Sequence, residues 1–380
     1  MWNGHQVVDT DSHVMEPGTL WEAYVDPRFR ATCLRIERDA RDGDRLLIDG
    51  APSRMIRRLG GIAYAEGEPI HDWNSLAKDD YASYRDSCAP ASYDGPARLR
   101  WLDAHGIDAT LLFPSLGLIW PREIPPASPY AVAHLRAYNR WLLDFSSADP
   151  ARLLPVGQLA LSPDAPVGAE VDTLAAAGFG HVMLPHGIDR IGADLDPFWA
   201  AAQSHGLVVH VHKVAVPHLL TIEPPTRFAS PLAGTFFNHV NELLPGQLFL
   251  AGLLDARVPD RYPRLRVAFH ECNVGWLPSW LDRAEESYET LADGDRPRPD
   301  RAPSAYFTDQ DTFFFSTGLG ERIERLPEEL HGRVLMATDF PHPGTPVDPE
   351  DAWRERIARL PASYGAAVLG ENALRMLKGQ

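Results

Sequence analysis

Four apolar segments of this sequence, each about as long as one β-strand, end in a carboxylate or an imidazole. They cover residues 5–13, 205–212, 265–271 and 333–343. Because side chains alternate between the two faces of a strand, Asp9, Asp11 and His13 of the first segment are predicted to lie on one face. Burying such groups costs free energy unless a partner replaces the lost water. This requirement limits the folds in which all four segments can be strands.

A divalent metal ion is one such partner, because it neutralises carboxylates and accepts imidazole nitrogens as ligands. A single Asp-x-His pattern is more often a solvated strand edge, and a single buried histidine is more often a hydrogen-bonded core residue. Residues of the same kind at the ends of four strands favour the metal interpretation. These residues are Asp11, His13, His210, His212, His270, Glu271 and Asp339.

Strand-like and helix-like segments alternate along the chain with short connections, which is typical of parallel βα units. Four further apolar segments bring the predicted number of strands to eight. They cover residues 108–114, 153–160, 181–185 and 311–316. The predicted fold class is α/β, a (β/α)8 TIM barrel, in which the C-terminal ends of all strands meet at one pocket. Ligands from distant parts of the sequence would then surround that pocket.

The chain has 380 residues, more than the roughly 250 of a bare barrel, and we expect a single domain over residues 1–380. Two long insertions, at about 15–94 and 213–263, follow the first and fifth strands, with a hairpin predicted around residues 46–50. Loops in these places lie on the ligand face of a barrel, so the insertions are expected to cover the pocket. Alternatively they form a subunit interface, and we expect a homodimer or higher homo-oligomer.

The formal net charge of −16 leaves no basic surface for phosphates, so nucleic acid is not an expected partner. The N-terminus lacks a signal-peptide pattern, and no apolar run has the length of a membrane span. Three widely spaced cysteines fit a reducing compartment. We therefore expect a cytoplasmic protein that has no membrane partner and acts on a small-molecule substrate.

Four motifs carry a resemblance to a known family. They are the Asp-Thr-Asp-Ser-His-Val-Met-Glu-Pro sequence at residues 9–17, the Asp-Phe-Pro-His sequence at 339–342, and the segments 98–109 and 274–283. From about Val7 to the C-terminus, the chain resembles the amidohydrolase-2 branch of the amidohydrolase superfamily. That branch includes aminocarboxymuconate semialdehyde decarboxylase and the resorcylate and carboxyvanillate decarboxylases.

The resemblance implies which residues form the site. It implies metal ligands at Asp11, His13, His212 and Asp339, with His270 as the catalytic residue that handles the proton of a metal-bound water. The first strand carries Asp-x-His where many relatives carry His-x-His, and the decarboxylases often have an acidic residue there. The spacing between His270 and Pro278 is longer than in the aminocarboxymuconate enzyme, so Glu271 is an alternative catalytic residue.

These residues predict a metal-dependent enzyme with one divalent ion, zinc or manganese. The acidic Asp11 favours non-oxidative decarboxylation of a small aromatic or unsaturated carboxylic acid, with Asp339 or His270 protonating the carbon. One alternative is hydrolysis of an amide, a lactone or an activated carbon–carbon bond by a metal-activated water. A more distant alternative is a catalytically silent barrel that serves as a binding protein.

Four residues are predicted to contact the substrate. His342 and Lys213 each stand close to a predicted ligand in the sequence, and His210 shares a strand face with His212. Arg54, in the first insertion, is a candidate clamp for a substrate carboxylate, although loop arginines are more often solvated.

Overall fold

A computed structural model shows the predicted barrel. It describes residues 2, 4–39, 43–56, 59, 84, 88–161, 164, 166–184, 195–212, 240–241, 243–291, 298–342, 345–346 and 348–378. Eight parallel strands form one sheet, while β2 to β4 belong to the first insertion. In sheet order the eight are β1 Val8–His13, β5 Ala109–Phe113, β6 Leu153–Gln158, β7 His181–Met183, β8 Val208–His212, β9 Arg266–His270, β10 Phe313–Thr317 and β11 Val334–Met336. The predicted α/β barrel is confirmed, and each of the eight predicted segments contributes one strand.

Hydrogen bonds between the first and last strands close the barrel. The Thr10 hydroxyl donates to the carbonyl of Met336 at 2.8 Å, and the backbone N–H of Asp339 donates to the carbonyl of Asp11 at 2.9 Å. Barrel strands are covered on both sides, so they are apolar along most of their length. Buried polar residues at their C-terminal ends are exceptions to this pattern, and they mark the site.

The helices of the described chain pack outside the strands. Serine and proline begin the longest of them, since the Ser128 hydroxyl accepts a hydrogen bond from the N–H of Ala131 and Pro129 occupies the first turn. Gly206 ends another helix with a left-handed φ of 70°, and the chain then enters β8. The helices are α1 Leu20–Tyr24, α2 Gly95–Ala104, α3 Pro129–Ser146, α4 Val167–Ala176, α5 Asp196–His205, α6 Leu244–Asp255, α7 Val258–Arg261, α8 Leu277–Leu291, α9 Ala305–Thr308, α10 Pro349–Ile357, α11 Ala362–Ala366 and α12 Asn372–Leu377.

The first insertion contains a small antiparallel sheet of β2 Arg35–Asp39, β3 Gly43–Ile48 and β4 Ala51–Pro52. Asp49 and Gly50 form the turn between β3 and β4 with φ values of 49° and 78°, which confirms the predicted hairpin. Of the second insertion, the structure describes residues 240–241 and 243–263. None of the described helices combines the length and apolar character needed to cross a bilayer.

Candidate metal centre and active site

Three side chains from two strands meet at the C-terminal end of the barrel. The Nε2 atom of His13 lies 3.5 Å from Oδ1 of Asp11, and Nε2 of His212 lies 3.8 Å from the same oxygen. All three side chains are buried. One ligand atom from each of them lies within 4.8 Å of the others, so the three can hold one ion.

Asp339 joins this group from the loop after β11. Its Oδ1 atom lies 3.2 Å from Nε2 of His13 and 3.1 Å from Nδ1 of His342. A second compatible set of ligand atoms comprises His13, Glu271, Asp339 and His342. Glu271 also approaches His212, with 3.5 Å between Oε2 and Nδ1. His13 belongs to both sets, so the four predicted ligands lie in two adjoining groups that share its imidazole.

The donor atoms fit a divalent cation. Among the described residues, Oδ1 of Asp11 and Nε2 of His13 are buried without a hydrogen-bond partner. Buried polar atoms are normally paired, and an unpaired carboxylate oxygen beside an unpaired imidazole nitrogen is costly without a cation. Mixed oxygen and nitrogen ligation suits zinc and manganese alike. The residues present therefore fit the predicted metal ion without selecting between the two.

The protonation of the cluster also indicates a missing positive charge. Burial raises the pKa of Asp11 to about 7, although His13 opposes the shift. Burial lowers the pKa of His13, but the carboxylates of Asp11 and Asp339 outweigh burial and hold this pKa well above its usual value. Loss of solvent raises the pKa of Asp339, but His342 and His13 outweigh this effect and hold it below its usual range. Without a metal ion, protons therefore supply the charge that the carboxylates require.

Backbone and hydroxyl groups orient the imidazoles. Nδ1 of His13 lies 2.8 Å from the carbonyl oxygen of Pro114, so Nδ1 carries the proton and Nε2 faces the cluster. Nε2 of His342 lies 2.9 Å from the hydroxyl of Ser115, while its Nδ1 faces Asp339. The loop after β5 thus holds two of the histidines at the site.

Glu16 fixes that loop. Its buried carboxylate accepts hydrogen bonds from the backbone N–H groups of Ser115, Leu116 and Gly117 at 3.3, 2.9 and 2.7 Å. Burial raises the pKa of Glu16, although these hydrogen bonds oppose the shift. The sequence prediction did not assign a role to Glu16, although it stands in the motif at residues 9–17.

Asp9 has a different role from the one its strand position suggested. One extra residue in β1 relative to β5, between Asp9 and Ser12, interrupts the alternation. The Asp9 carboxylate accepts hydrogen bonds from the N–H and the hydroxyl of Thr338, and it belongs to neither set of ligand atoms. Hydrogen bonds from Thr338, just after β11, and not a metal ion, therefore offset its burial.

Arg98 supports the end of β1 and contacts Phe340, which follows β11. This fully buried arginine donates hydrogen bonds to the hydroxyl of Ser12 at 2.6 Å and to the carbonyl of His13. Its guanidinium carbon lies 4.6 Å from the ring centroid of Phe340, a cation–π distance. Arg98 stands in the recognised segment 98–109, but no local pattern revealed these contacts.

Three residues at the site have left-handed backbone conformations. The φ values of Glu271, Asn273 and Asp339 are 53°, 53° and 59°, and such angles are uncommon for residues other than glycine. Backbone strain of this kind concentrates at functional sites, where surrounding contacts hold it. Here it places the carboxylates of Glu271 and Asp339 beside the strand ends.

A cavity of about 280 Å³ opens onto the carboxylates. It is lined by Asp11, Glu271, Asn273, Ser316, Gly318, Leu319, Gly320, Ala337, Thr338, Asp339 and Pro346. Ligand pockets typically span about 300–1,000 Å³, and this one lies at the lower end of that scale, a size suited to a small molecule. Asn273 and Ser316 were not among the predicted site residues.

The other predicted site residues lie at different distances from the candidate metal centre. His270 is buried, and its Nδ1 lies 3.7 Å from Oδ2 of Asp11. His210 is buried beneath His270, and its ring contacts two other histidines. Arg54 is exposed, and its backbone N–H donates to Oε2 of Glu123 at 2.7 Å. Lys213 lies outside the described residues, and substrate contacts by these side chains remain predictions.

Comparison with solved structures shows the same fold. An amidohydrolase from Mycobacterium avium subsp. paratuberculosis K-10 superposes with a TM-score of 0.77 at 17% identity, covering 98% of this chain and 99% of the other. For 5-carboxyvanillate decarboxylase LigW from Sphingomonas paucimobilis, the TM-score is 0.62 at 18% identity, with 99% of both chains covered. For 2,6-dihydroxybenzoate decarboxylase from Rhizobium, the TM-score is 0.59 at 16% identity, covering 98% of this chain and 99% of the other.

Sequence comparison places the chain in a family. A search of curated proteins finds no match. The family model described as amidohydrolase, Amidohydro_2, matches residues 89–379, which is most of the chain. This match confirms the predicted enzyme class, a decarboxylase or hydrolase of the amidohydrolase superfamily. The chain therefore belongs to the amidohydrolase family.

Proposed function

We propose that this enzyme is a metal-dependent decarboxylase of a small aromatic or unsaturated carboxylic acid. The observation that carries the proposal is the pairing of Asp339, which lines the cavity, with His342, whose Nδ1 lies 3.1 Å from Oδ1 of Asp339. Such a pair can hold one proton next to the substrate, and decarboxylation needs one proton at the carbon that loses carbon dioxide. The small cavity supports a substrate of about one ring.

The solved structures with this fold agree with the proposal. Two of them are decarboxylases of substituted benzoic acids, 5-carboxyvanillate and 2,6-dihydroxybenzoate. A further structure, the decarboxylase from Novosphingobium aromaticivorans, contains manganese and 4-hydroxy-3-methoxy-5-nitrobenzoic acid. These ligands belong to those proteins, and their size and chemistry suit the cavity described above.

One divalent ion would be held by Asp11, His13, His212 and Asp339. When bound, zinc or manganese would withdraw electrons from the substrate carboxylate and a neighbouring oxygen. The protein groups supply the rest of the reaction. The carbon–carbon bond to the carboxylate breaks, its electron pair stays on the substrate carbon, and the proton of the Asp339–His342 pair moves to that carbon. Solvent then returns a proton to the pair, whose side chains are 33% and 13% exposed.

The proposal is tested by metal analysis and product analysis of the purified protein. We expect about one zinc or manganese ion per chain, and release of carbon dioxide from a panel of hydroxybenzoic and muconic-type acids. Asp339→Asn should lose this activity. Asp172→Asn is the matched control, because Asp172 lies on helix α4 at the surface and pairs with His205.

Other outcomes contradict the proposal in different ways. Hydrolysis products from amides or lactones, without carbon dioxide from any acid, would support the hydrolase alternative. A protein that binds no stoichiometric metal and keeps its function after Asp339→Asn would support the alternative of a catalytically silent barrel that serves as a binding protein.

A further inference from the structure

Three buried histidines form a continuous chain behind the candidate metal centre. Nε2 of His270 lies 2.8 Å from Nδ1 of His210, and Nε2 of His210 lies 3.0 Å from Nδ1 of His181. The side chains come from neighbouring strands β9, β8 and β7, and all three are at most 1% exposed. Only His270 reaches the site, where its Nδ1 faces Asp11.

The two nitrogen–nitrogen contacts restrict where the protons can be. Each contact is a hydrogen bond only if one of its two nitrogens carries a proton. Charged rings packed against one another without water are strongly disfavoured, so each ring holds one proton. Two arrangements then remain. Either all three protons lie on Nδ1 atoms, or all three lie on Nε2 atoms.

Two observations at opposite ends of the chain select the Nδ1 arrangement. Nε2 of His181 is buried and has no hydrogen-bond partner among the described residues. A proton there would create a buried donor with no acceptor, which is rare and costly in folded proteins. At the other end, Nδ1 of His270 lies 3.7 Å from Oδ2 of Asp11. A proton on Nδ1 is attracted to that carboxylate, whereas a lone pair would be repelled.

We propose that His181 and His210 keep the imidazole proton of His270 on Nδ1, so that His270 meets the substrate as a hydrogen-bond donor and not as a proton acceptor. The position of the proton follows from the hydrogen-bond geometry alone. Only the contact between His270 and a substrate rests on the proposed function. The family resemblance implies that His270 handles the proton of a metal-bound water. In this proposal His270 only donates a hydrogen bond, and Asp339 and His342 carry out the proton transfer. His181 and His210 are then positioning residues, and His210 has no free nitrogen for a substrate.

Nuclear magnetic resonance of the imidazole nitrogens tests the assignment without any turnover. Protein labelled with 15N in its 15 histidines would be measured metal-free and with zinc, and His270→Asn would identify the His270 signals. We expect a protonated Nδ1 and an unprotonated Nε2 on His270 in both samples. The reverse pattern would overturn the proposal. Because the spectrum does not depend on a substrate, this result is separate from any failure of the decarboxylase proposal.

Two variants of His181 test the support that it gives. Asn at this position keeps an amide donor close to the place of Nδ1, whereas Leu removes the donor. We expect His181→Leu to give a mixture of both His270 tautomers and to lower kcat about tenfold or more, with KM and zinc content within about twofold of wild type. His181→Asn should keep the wild-type tautomer and most of kcat.

His205→Leu is the control for these variants, because His205 lies at the exposed end of helix α5. We expect it to remove only the signals of His205 itself and to change neither the His270 tautomer nor kcat. If His181→Leu and His181→Asn behave alike in the spectrum, or if His181→Leu leaves the His270 tautomer unchanged, His181 does not position His270. A stability measurement on each variant identifies any loss of kcat that arises from unfolding.

Discussion

Both carboxylate oxygens of Asp9 accept hydrogen bonds from Thr338, Oδ1 from the backbone N–H at 2.9 Å and Oδ2 from the hydroxyl at 2.6 Å. Thr338 directly precedes the predicted ligand Asp339, so Asp9 in the first strand fixes the backbone that carries a ligand after the last strand. Asp9→Ala would leave the N–H of Thr338 buried without its acceptor. At pH 4, where folding does not yet require an ionised Asp9, we expect a loss of about 3 kcal/mol in the free energy of unfolding, and at pH 7 weaker metal binding.

The matched variant for this prediction is Asp9→Asn, which keeps an acceptor oxygen for the N–H of Thr338. Denaturant unfolding and metal titration of both variants would check it. We expect the Asn variant to lie close to wild type in metal affinity. Equal losses in the Asn and Ala variants would show that the charge of Asp9, and not its hydrogen bonds to Thr338, matters.

The stability of the metal-free protein should depend on the ionisation of Asp9. Burial raises the pKa of Asp9 to about 6 from an ordinary value of 3.8. A carboxyl group whose pKa rises on folding stabilises the folded state below its unfolded pKa, and this contribution is lost as the pH rises through the folded pKa. The shift corresponds to about 3 kcal/mol. As the pH rises from 4 to 7, Asp9→Asn should therefore gain about 2 kcal/mol of stability relative to wild type, the part of this change that falls in that interval.

Unfolding curves of metal-free wild type and Asp9→Asn at several pH values would check this prediction. Titration of other groups, including the buried histidines, affects both proteins equally and cancels in the difference. Parallel pH profiles for the two proteins would contradict a raised pKa at Asp9.

The barrel was predictable because its strands are covered on both sides and therefore appear as short apolar runs. The predicted ligands at the strand ends were equally visible, since Asp11, His13 and His212 interrupt those runs. The β-bulge in β1 was not visible in the sequence. The pairing of β1 with β5 determines the register, and the local sequence does not encode that pairing. Strict alternation consequently grouped Asp9 with the predicted ligands Asp11 and His13, whereas the structure joins it to Thr338.

The supporting contacts were also beyond sequence reasoning. Arg98 bonds to residues about 85 positions earlier in the chain, and Glu16 bonds to N–H groups about 100 positions later. Such contacts depend on which strands become neighbours, and backbone partners leave no residue pattern to detect. The chain of His181, His210 and His270 likewise appears only once three strands lie side by side.

Metal binding should release protons and weaken in acid. Burial raises the pKa of Asp11 to about 7, and the neighbouring carboxylates hold the pKa of His13 above its usual value. A metal ion binds the deprotonated forms of both groups, so it must displace their protons. We expect manganese affinity to fall at least about tenfold from pH 7 to pH 6, the change expected for one displaced proton.

Calorimetry in buffers with different protonation enthalpies would count the protons released on manganese binding. Asp172→Asn serves as the control because Asp172 lies at the surface, away from the predicted ligands. An affinity that does not change between pH 7 and pH 6 would show that protons do not occupy the cluster in the metal-free protein.

Glu16 should matter for catalysis although it is not a predicted ligand. Its carboxylate holds three N–H groups of the loop at Ser115, and Ser115 holds His342 against Asp339. Glu16→Ala would leave buried N–H groups without an acceptor, and we expect about 3 kcal/mol of destabilisation together with a clear loss of kcat. Glu16→Gln keeps one acceptor oxygen, so it should lose less stability and less kcat than Glu16→Ala. If Glu16→Ala unfolds more easily but keeps full kcat below its unfolding temperature, the loop does not position His342.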